Sequence, residues 1–382
     1  MNKVVYINYV SFSSSLDDVL YIDHLTSNRV DVEFWDITSL YKHQSVRKNS
    51  INIKKVLKIN SKKDLKERIR KENKDNTIFF NLFTYNWDTL WLHLLLKSYG
   101  CKTGWFDRPG LPVPKTSLRK KTLDVFKTIT LKKILQILQH RFSSFLKEIG
   151  YIPEPIIVFT AGKKSNQNYN LKTMTIEINH YDYENYISLR QHQDRRKSKP
   201  YAIFLDEFTP YHPDYDLLKI KKVNPEVYYS SVNKFFNMIE KKYDLEIVIA
   251  QYPKSYYQSD VYEGRDMIKH QTNQLIRDSQ FVLAHGSTAL SFAVLYSKPI
   301  LFFYNDQFEM YYKNSDLRSI RNLSHCLGGP IYNIDTLESI EDIQLNEVDS
   351  LLYEEFKYNY LTSPKSENKF TKDLFLNYLQ DN

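Results

Sequence analysis

Short apolar runs alternate with longer stretches of helical period along the whole chain, and the alternation runs through twice. This rhythm constrains the fold more than any other feature. Strands separated by crossover helices pair in parallel, which leads to an α/β architecture with helices on both faces of each sheet. In the first half, Val4–Val10, Val30–Trp35, Ile51–Ile59, Thr77–Leu82, Ile156–Thr160 and Thr173–Ile178 read as strands. In the second, Tyr201–Leu205, Leu245–Ala250, Phe281–Ala284 and Pro299–Phe303 do. Between the halves lies Gln191–Pro200, polar, charged and closed by proline, which reads as a linker. The expectation is two Rossmann-like domains facing a cleft, residues 1–195 and 196–382, with a C-terminal helix on the second.

Helices are expected over Trp87–Tyr99, stopped by Gly100, and from Pro225 to Lys242. Others are expected over Thr272–Ser279, over Gly286–Leu295, and over Ser366–Leu379 with a serine N-cap. Gly104–Pro114, Asp206–Asp216 and Tyr304–Glu309 read as loops. Leu118–Ile149 reads as a basic helix. Leu131, Ile134, Leu135, Leu138, Phe142 and Phe145 share one face, and Lys132, Lys133, Arg141 and Lys147 lie mostly elsewhere. Such a helix can lie on an anionic membrane. The commoner outcome, an apolar stripe packed on the protein's own core, is the expectation.

Composition then removes function classes. Only 9 Gly occur in 382 residues, and neither GxGxxG nor GxxxxGK[ST] is found, which disfavours Walker-type ATPases and ordinary NAD enzymes. Cys101 and Cys326 stand far apart, outside any Cys/His cluster, so no structural zinc site is expected and a reducing compartment is. The amino terminus lacks a signal-peptide pattern, and no apolar run approaches a membrane span. The expected location is cytoplasmic, with peripheral contact at the inner membrane allowed. The net charge of +8 suits a phosphorylated ligand or an anionic surface. No nucleic-acid-binding signature accompanies it, so nucleic acid is not an expected partner.

Ligands of such sheets bind beyond the carboxyl ends of the strands, so chemistry is sought in the loops that follow them. Phe281–Ala284 runs into His285-Gly286-Ser287-Thr288 and straight on towards a helix. Helix-terminal amides, two hydroxyls and a glycine allowing close approach make a candidate anion site, with His285 adding a donor or a charge. Tyr201–Leu205 runs into Asp206 and Glu207, followed by aromatic residues and His212. A carboxylate in such surroundings can serve as general base, and either acid is a candidate. After Ala250 come Tyr252, placed to stack on a base, and Lys254, placed to pair with a phosphate. Glu309 is a candidate for ribose hydroxyls. In the first half, Ser13, Asn81 and Tyr85 lie in polar-aromatic loops that suit a sugar acceptor. The scattered histidines, His93 and His180 among them, read as structural or surface residues.

From Tyr201 to Asp306 the chain resembles glycosyltransferases of the GT-B fold, and more narrowly those of bacterial surface polysaccharide (lipopolysaccharide and capsule) assembly. The carrier is the strand–His285-Gly286-Ser287-Thr288-Ala289–helix–Lys298-Pro299–strand pattern. A weaker similarity is to sialyl- and Kdo-transferases, with Asp206-Glu207, the Tyr252-Pro253 turn and Ser287-Thr288 in similar order. Tyr252 stands where that group has histidine, and His212-Pro213 falls in the Asp206 loop instead. The resemblance implies a nucleotide-sugar donor such as a CMP-activated ulosonic acid, a glycan or lipid-linked acceptor, no cofactor and no catalytic metal. Alternatives within the fold are a polyol-phosphate transferase, a sugar-nucleotide epimerase and a non-catalytic sugar-nucleotide-binding subunit.

Overall fold

The computed structural model describes residues 1–41, 56–112, 131–165, 173–190, 199–218 and 220–382. The linker expected at Gln191–Pro200 falls mostly outside them, as do the start of the strand expected from Ile51 and the helix expected before Leu131.

The first half comprises β1 (Lys3–Asn8), α1 (Ser14–Leu20), α2 (Ile22–Ser27), β2 (Asp31–Asp36), β3 (Val56–Lys58) and α3 (Lys62–Lys71). It continues with β4 (Thr77–Asn81), α4 (Leu90–Ser98), β5 (Lys102–Asp107), α5 (Leu131–Glu148), β6 (Ile157–Ala161) and β7 (Met174–Ile178). The seven strands form one parallel sheet in the order β3-β2-β1-β4-β5-β6-β7. After a crossover helix, α6 (Tyr181–Arg190), the second half comprises β8 (Tyr201–Leu205), α7 (Pro213–Leu218), α8 (Pro225–Tyr243), β9 (Glu246–Ala250), β10 (Met267–Ile268) and α9 (Thr272–Asp278). There follow β11 (Val282–Ala284), α10 (Leu290–Leu295), β12 (Ile300–Tyr304), α11 (Asp306–Tyr312), α12 (Asp316–Leu327), β13 (Ile331–Asn333), α13 (Ser350–Phe356) and α14 (Thr371–Asp381). Its parallel sheet runs β10-β9-β8-β11-β12-β13. Both sheets are thus doubly wound, as expected, and each reverses direction once, at β1/β4 and at β8/β11.

Local chemistry accounts for the elements that place the site. Tyr201–Leu205 is buried along its whole length, as a central parallel strand with both faces covered requires. Asn224 caps α8 by accepting from the Glu226 and Val227 N–H groups, with Pro225 at the first helical position. Tyr228, Val232, Phe235, Phe236 and Ile239 then form its buried stripe.

Three expected loops are partly regular. Gly104–Pro114 begins inside β5, where Gly104 lets the Phe80 ring approach to within 2.5 Å of where a Cβ would sit. Asp206–Asp216 contains a single 3-10 turn and α7. Tyr304–Glu309 is the start of α11, capped by Asn305. Proline at Pro213 and asparagine at Asn305 are helix-starting residues here, and composition alone reads them as breakers.

The C-terminal helix begins at Thr371, not at a serine cap. Ser366 is buried instead and donates to the Ile178 carbonyl. Nor does this helix close the second half. Phe375 packs among Phe80, Phe106 and Phe159 with ring centroids 5.0–5.4 Å apart, in the core of the first sheet. The return is pinned by Asn179, whose side-chain amide donates to the Ser366 and Lys369 carbonyls while its Oδ1 accepts from Thr362. Gly162 (φ +72°) serves the same crossing, because a Cβ there would lie 2.5 Å from the Asn359 carbonyl oxygen.

The described part of the α5 stripe does not pack on the core; the side chains of Leu131 and Ile134 lie outside the described ones. Leu135, Leu138, Phe142, Phe145 and Ile149 are each 50–57 % exposed. Ser143 is the buried residue of that helix among those described, and its carbonyl accepts from the Tyr85 hydroxyl at 2.7 Å.

Candidate functional site

The strand order dictates where a ligand fits. At the β8/β11 reversal the following loops diverge and leave a crevice beyond the strand ends. A cleft of about 550 Å³ lies there. Its walls are Asp206, Glu207 and His212 after β8, Tyr252 and Lys254 after β9, and Gly286, Ser287 and Thr288 after β11. The structure therefore brings together eight of the ten residues expected in the second half.

Asp206 is the knot of this site. Its Oδ1 accepts from the Phe208 N–H at 2.8 Å and the Tyr262 hydroxyl at 3.1 Å. Its Oδ2 accepts from the Tyr252 N–H at 3.2 Å and the Tyr257 hydroxyl at 2.7 Å. Four donors from three chain segments converge on one buried carboxylate. Burial pushes its pKa up, and these four bonds pull against that rise. With both oxygens engaged twice, Asp206 ties these loops together. The turn it holds is strained, since Phe208 sits in the left-handed region at φ 55°.

Glu207 has the opposite environment. Among the described residues its one hydrogen bond is Oε2 accepting from the Gly286 N–H at 3.3 Å. Burial raises its pKa to about 7, and the nearby Asp206 and Asp316 carboxylates add to the rise. It also borders a second cavity of about 250 Å³, shared with His212, Asp214, Tyr215, Asp316 and Ser319. A carboxyl that ionises near neutrality where two cavities meet has the properties of a general base.

Three expected roles change. His285 is buried, with Nδ1 donating to the Phe303 carbonyl at 2.7 Å. That bond fixes the tautomer, so Nε2 accepts from the Tyr228 hydroxyl at 2.9 Å. Burial lowers its pKa to about 4, so the ring is neutral and braces the strand end instead of meeting an anion. Glu309 is absent from the cleft wall; it pairs with Arg321 at 2.7 Å and Lys313 at 3.0 Å on α11's surface. The helix after His285-Gly286-Ser287-Thr288 starts only at Leu290 and has six residues. The helix-terminal field is correspondingly small. Ser287, Thr288 and the exposed Lys254 are the hydroxyl- and ammonium-bearing part of the wall.

Asp182, not anticipated from sequence, also lines the cleft. It comes from α6, packs against His180 at 3.5 Å, and burial pushes its carboxyl up. Only the crossover of α6 onto the second half, with Tyr186 against Tyr296 at 5.0 Å, brings it there.

A third cavity, of about 350 Å³, lies in the first half, where β4 and β5 meet α4 and α5. Asn81 and Tyr85 line it, and Ser13 lines neither it nor the cleft. The Asn81 Oδ1 and His93 Nε2 atoms in its wall are buried and have no hydrogen-bond partner among the described residues. Trp105 and Tyr85 supply aromatic walls, and burial lowers the His93 pKa to about 4, leaving it neutral. His93 and Trp105 carried no signal in the sequence, since helix packing and strand pairing place them. Among the described residues no group of three or more His, Cys, Asp or Glu is placed to hold a metal ion.

No protein-family model matches the chain, and no curated protein matches it. Solved structures do. The wall teichoic acid polymerase TagF, in a variant form, superposes over all of this chain and 89% of its own at 12% identity, with a TM-score of 0.50. CalG4, the calicheamicin glycosyltransferase, gives 0.49 at 10% identity over 100% and 98% of the two chains. MurG from Acinetobacter baumannii gives 0.45 at 8% identity over both whole chains. The likeness is one of fold, and the fold is the two-domain GT-B architecture expected from the sequence.

Proposed function

We propose that the chain is a glycosyltransferase that moves a sugar from a nucleotide-activated donor, held in the β8/β11 cleft, to an acceptor hydroxyl. The observation that carries this reading is Glu207, with a pKa near 7 and a place on two adjoining cavities. In the proposed step, Glu207 takes the acceptor's hydroxyl proton as that oxygen attacks the anomeric carbon. The bond from that carbon to the phosphate oxygen breaks, and its electron pair leaves with the nucleotide. Lys254, Ser287 and Thr288 meet the departing anion, and preorganised donors of this kind act where charge develops. The Tyr252 ring, 5.4 Å from the His212 ring, offers a surface for the base. The acceptor is a glycan or lipid-linked saccharide whose reacting hydroxyl lies in the cavity of about 250 Å³ beside Glu207; Asn81, Tyr85, His93 and Trp105 are assigned to a part of it remote from the reacting hydroxyl. The donor we favour is a CMP-activated ulosonic acid, and the setting we favour is surface polysaccharide assembly.

Thermal shift against CMP, CDP, UDP, GDP, ADP and dTDP tests the donor site, since a ligand of the native state raises the melting temperature. A shift with CMP alone supports the ulosonic-acid donor; a shift with a diphosphate redirects it to another sugar nucleotide. No shift with any nucleotide overturns the reading. Ser287→Ala combined with Thr288→Ala is expected to weaken nucleotide binding by about 10- to 100-fold with the fold intact. Unchanged affinity in titration calorimetry would remove these hydroxyls from the site.

A second reading, transfer of a polyol phosphate, draws on the whole-length likeness to a wall teichoic acid polymerase. Phosphorus in the product distinguishes it, because only that reaction leaves a phosphodiester behind.

A further inference from the structure

We infer that helix α5 docks the protein on an anionic lipid surface through its exposed apolar stripe. Leu135, Leu138, Phe142 and Phe145, and Ile149 in the turn that follows, recur at alternating intervals of three and four, which aligns them along one side of the helix and its end. A buried helix of this pattern would turn that side inward. Here these five side chains are exposed, and among the described residues of the helix it is Ser143 that is buried, with its carbonyl accepting from the Tyr85 hydroxyl.

The surroundings specify the occupant. Trp87 is also exposed and meets Phe142 edge-on at 6.1 Å, extending the stripe with an indole. Tyr151, half-exposed just beyond the helix, lies beneath the Lys97 ammonium at 3.8 Å. Aliphatic and phenylalanine side chains bordered by Trp, Tyr and Lys form the mixture that settles at the level of lipid headgroups. Charge agrees with this: residues 131–150 contain four Lys or Arg and one acid. An anionic leaflet attracts such a segment, and a neutral one does not. At 18 residues the helix is about 27 Å long, and no helix among the described residues is long and apolar enough to cross a membrane. The helix therefore lies in the plane of the surface. Lys147, on the same helix, borders the Asn81 cavity. Docking would hold that cavity at headgroup level, where a lipid-carried acceptor is presented; this last step rests on the transferase reading, and the docking does not.

The test is sedimentation of the full chain with phosphatidylcholine vesicles and with mixed phosphatidylglycerol–phosphatidylcholine vesicles. The protein is expected to pellet with the anionic vesicles only, less so as salt rises. Leu138→Ser, Phe142→Ser and Phe145→Ser together are expected to weaken this binding about tenfold or more while keeping the wild-type melting temperature, because the replaced side chains are exposed. Arg141→Gln is expected to reduce the preference for anionic vesicles about fivefold. Absence of pelleting with anionic vesicles overturns the proposal, as does undiminished pelleting of the triple variant. A dimer seen by light scattering that the triple substitution splits, without vesicle binding, would assign the stripe to a second copy of the chain. None of these readouts involves nucleotide or turnover, so their failure is separate from failure of the transferase reading.

Discussion

Glu207→Gln is expected to lower kcat by about 100- to 10,000-fold, the range for loss of a general base, while leaving nucleotide affinity close to wild type. The Gln amide oxygen can still accept from the Gly286 N–H, so the loop keeps its tie. In the wild type, kcat/KM is expected to rise with pH through about 7 and then level off, because only the carboxylate can take the proton. Stability runs the other way. Burial favours the protonated Glu207, so its contribution is full below the ordinary glutamate range and is lost as pH climbs through about 7. At pH 8 the wild type holds a buried charge that the Gln variant lacks. The variant is then expected to be more stable, by on the order of 2 kcal/mol. Steady-state kinetics with urea melts at pH 6 and pH 8 read both effects. Full activity in Glu207→Gln, or a flat pH profile, would move the base elsewhere.

Asp206→Ala is expected to act through the fold. It leaves the N–H groups of Phe208 and Tyr252 and the hydroxyls of Tyr257 and Tyr262 without their acceptor. Orphaned buried donors cost about 1–3 kcal/mol each before relaxation, so a net loss of about 3–5 kcal/mol is expected in urea unfolding. Asp206→Asn keeps one acceptor oxygen and should lose less, since the tyrosine hydroxyls can rotate to accept from its amide. At temperatures where the Asn variant is folded, its kcat should exceed that of Glu207→Gln. The reverse order would return the base role to Asp206. Two adjacent carboxylates thus differ in their ties: among the described residues Asp206 accepts four hydrogen bonds and Glu207 one.

That division was not legible in the sequence, where Asp206 and Glu207 are equivalent acids after a buried strand. Tyr257 and Tyr262 decide it, and they reach Asp206 from 51 and 56 residues away. His285 shows the same limit. Its place at a strand end was readable, but the Tyr228 hydroxyl and Phe303 carbonyl that saturate it come from other elements. Leu135, Leu138, Phe142 and Phe145 of the α5 stripe were readable as one face, yet whether that face met core or solvent depended on the surface left uncovered by its own domain.

By itself the sequence determined the alternation of strand and helix, the doubling into two parallel sheets, and the three loops after β8, β9 and β11 that line the cleft. These follow from short-range causes: hydrophobic periodicity, capping residues and turn-forming residues act over a few positions, and the handedness of βαβ crossovers then leaves few topologies. Tertiary structure alone decided which carboxylate is tied down, that Asp182 reaches the cleft on a crossover helix, and that the last helix returns to the first sheet. It also decided which polar groups of the Asn81 cavity have no partner among the described residues. Burial and hydrogen-bond satisfaction are properties of the whole packed chain, set by partners dozens to hundreds of residues away, and no local pattern encodes them.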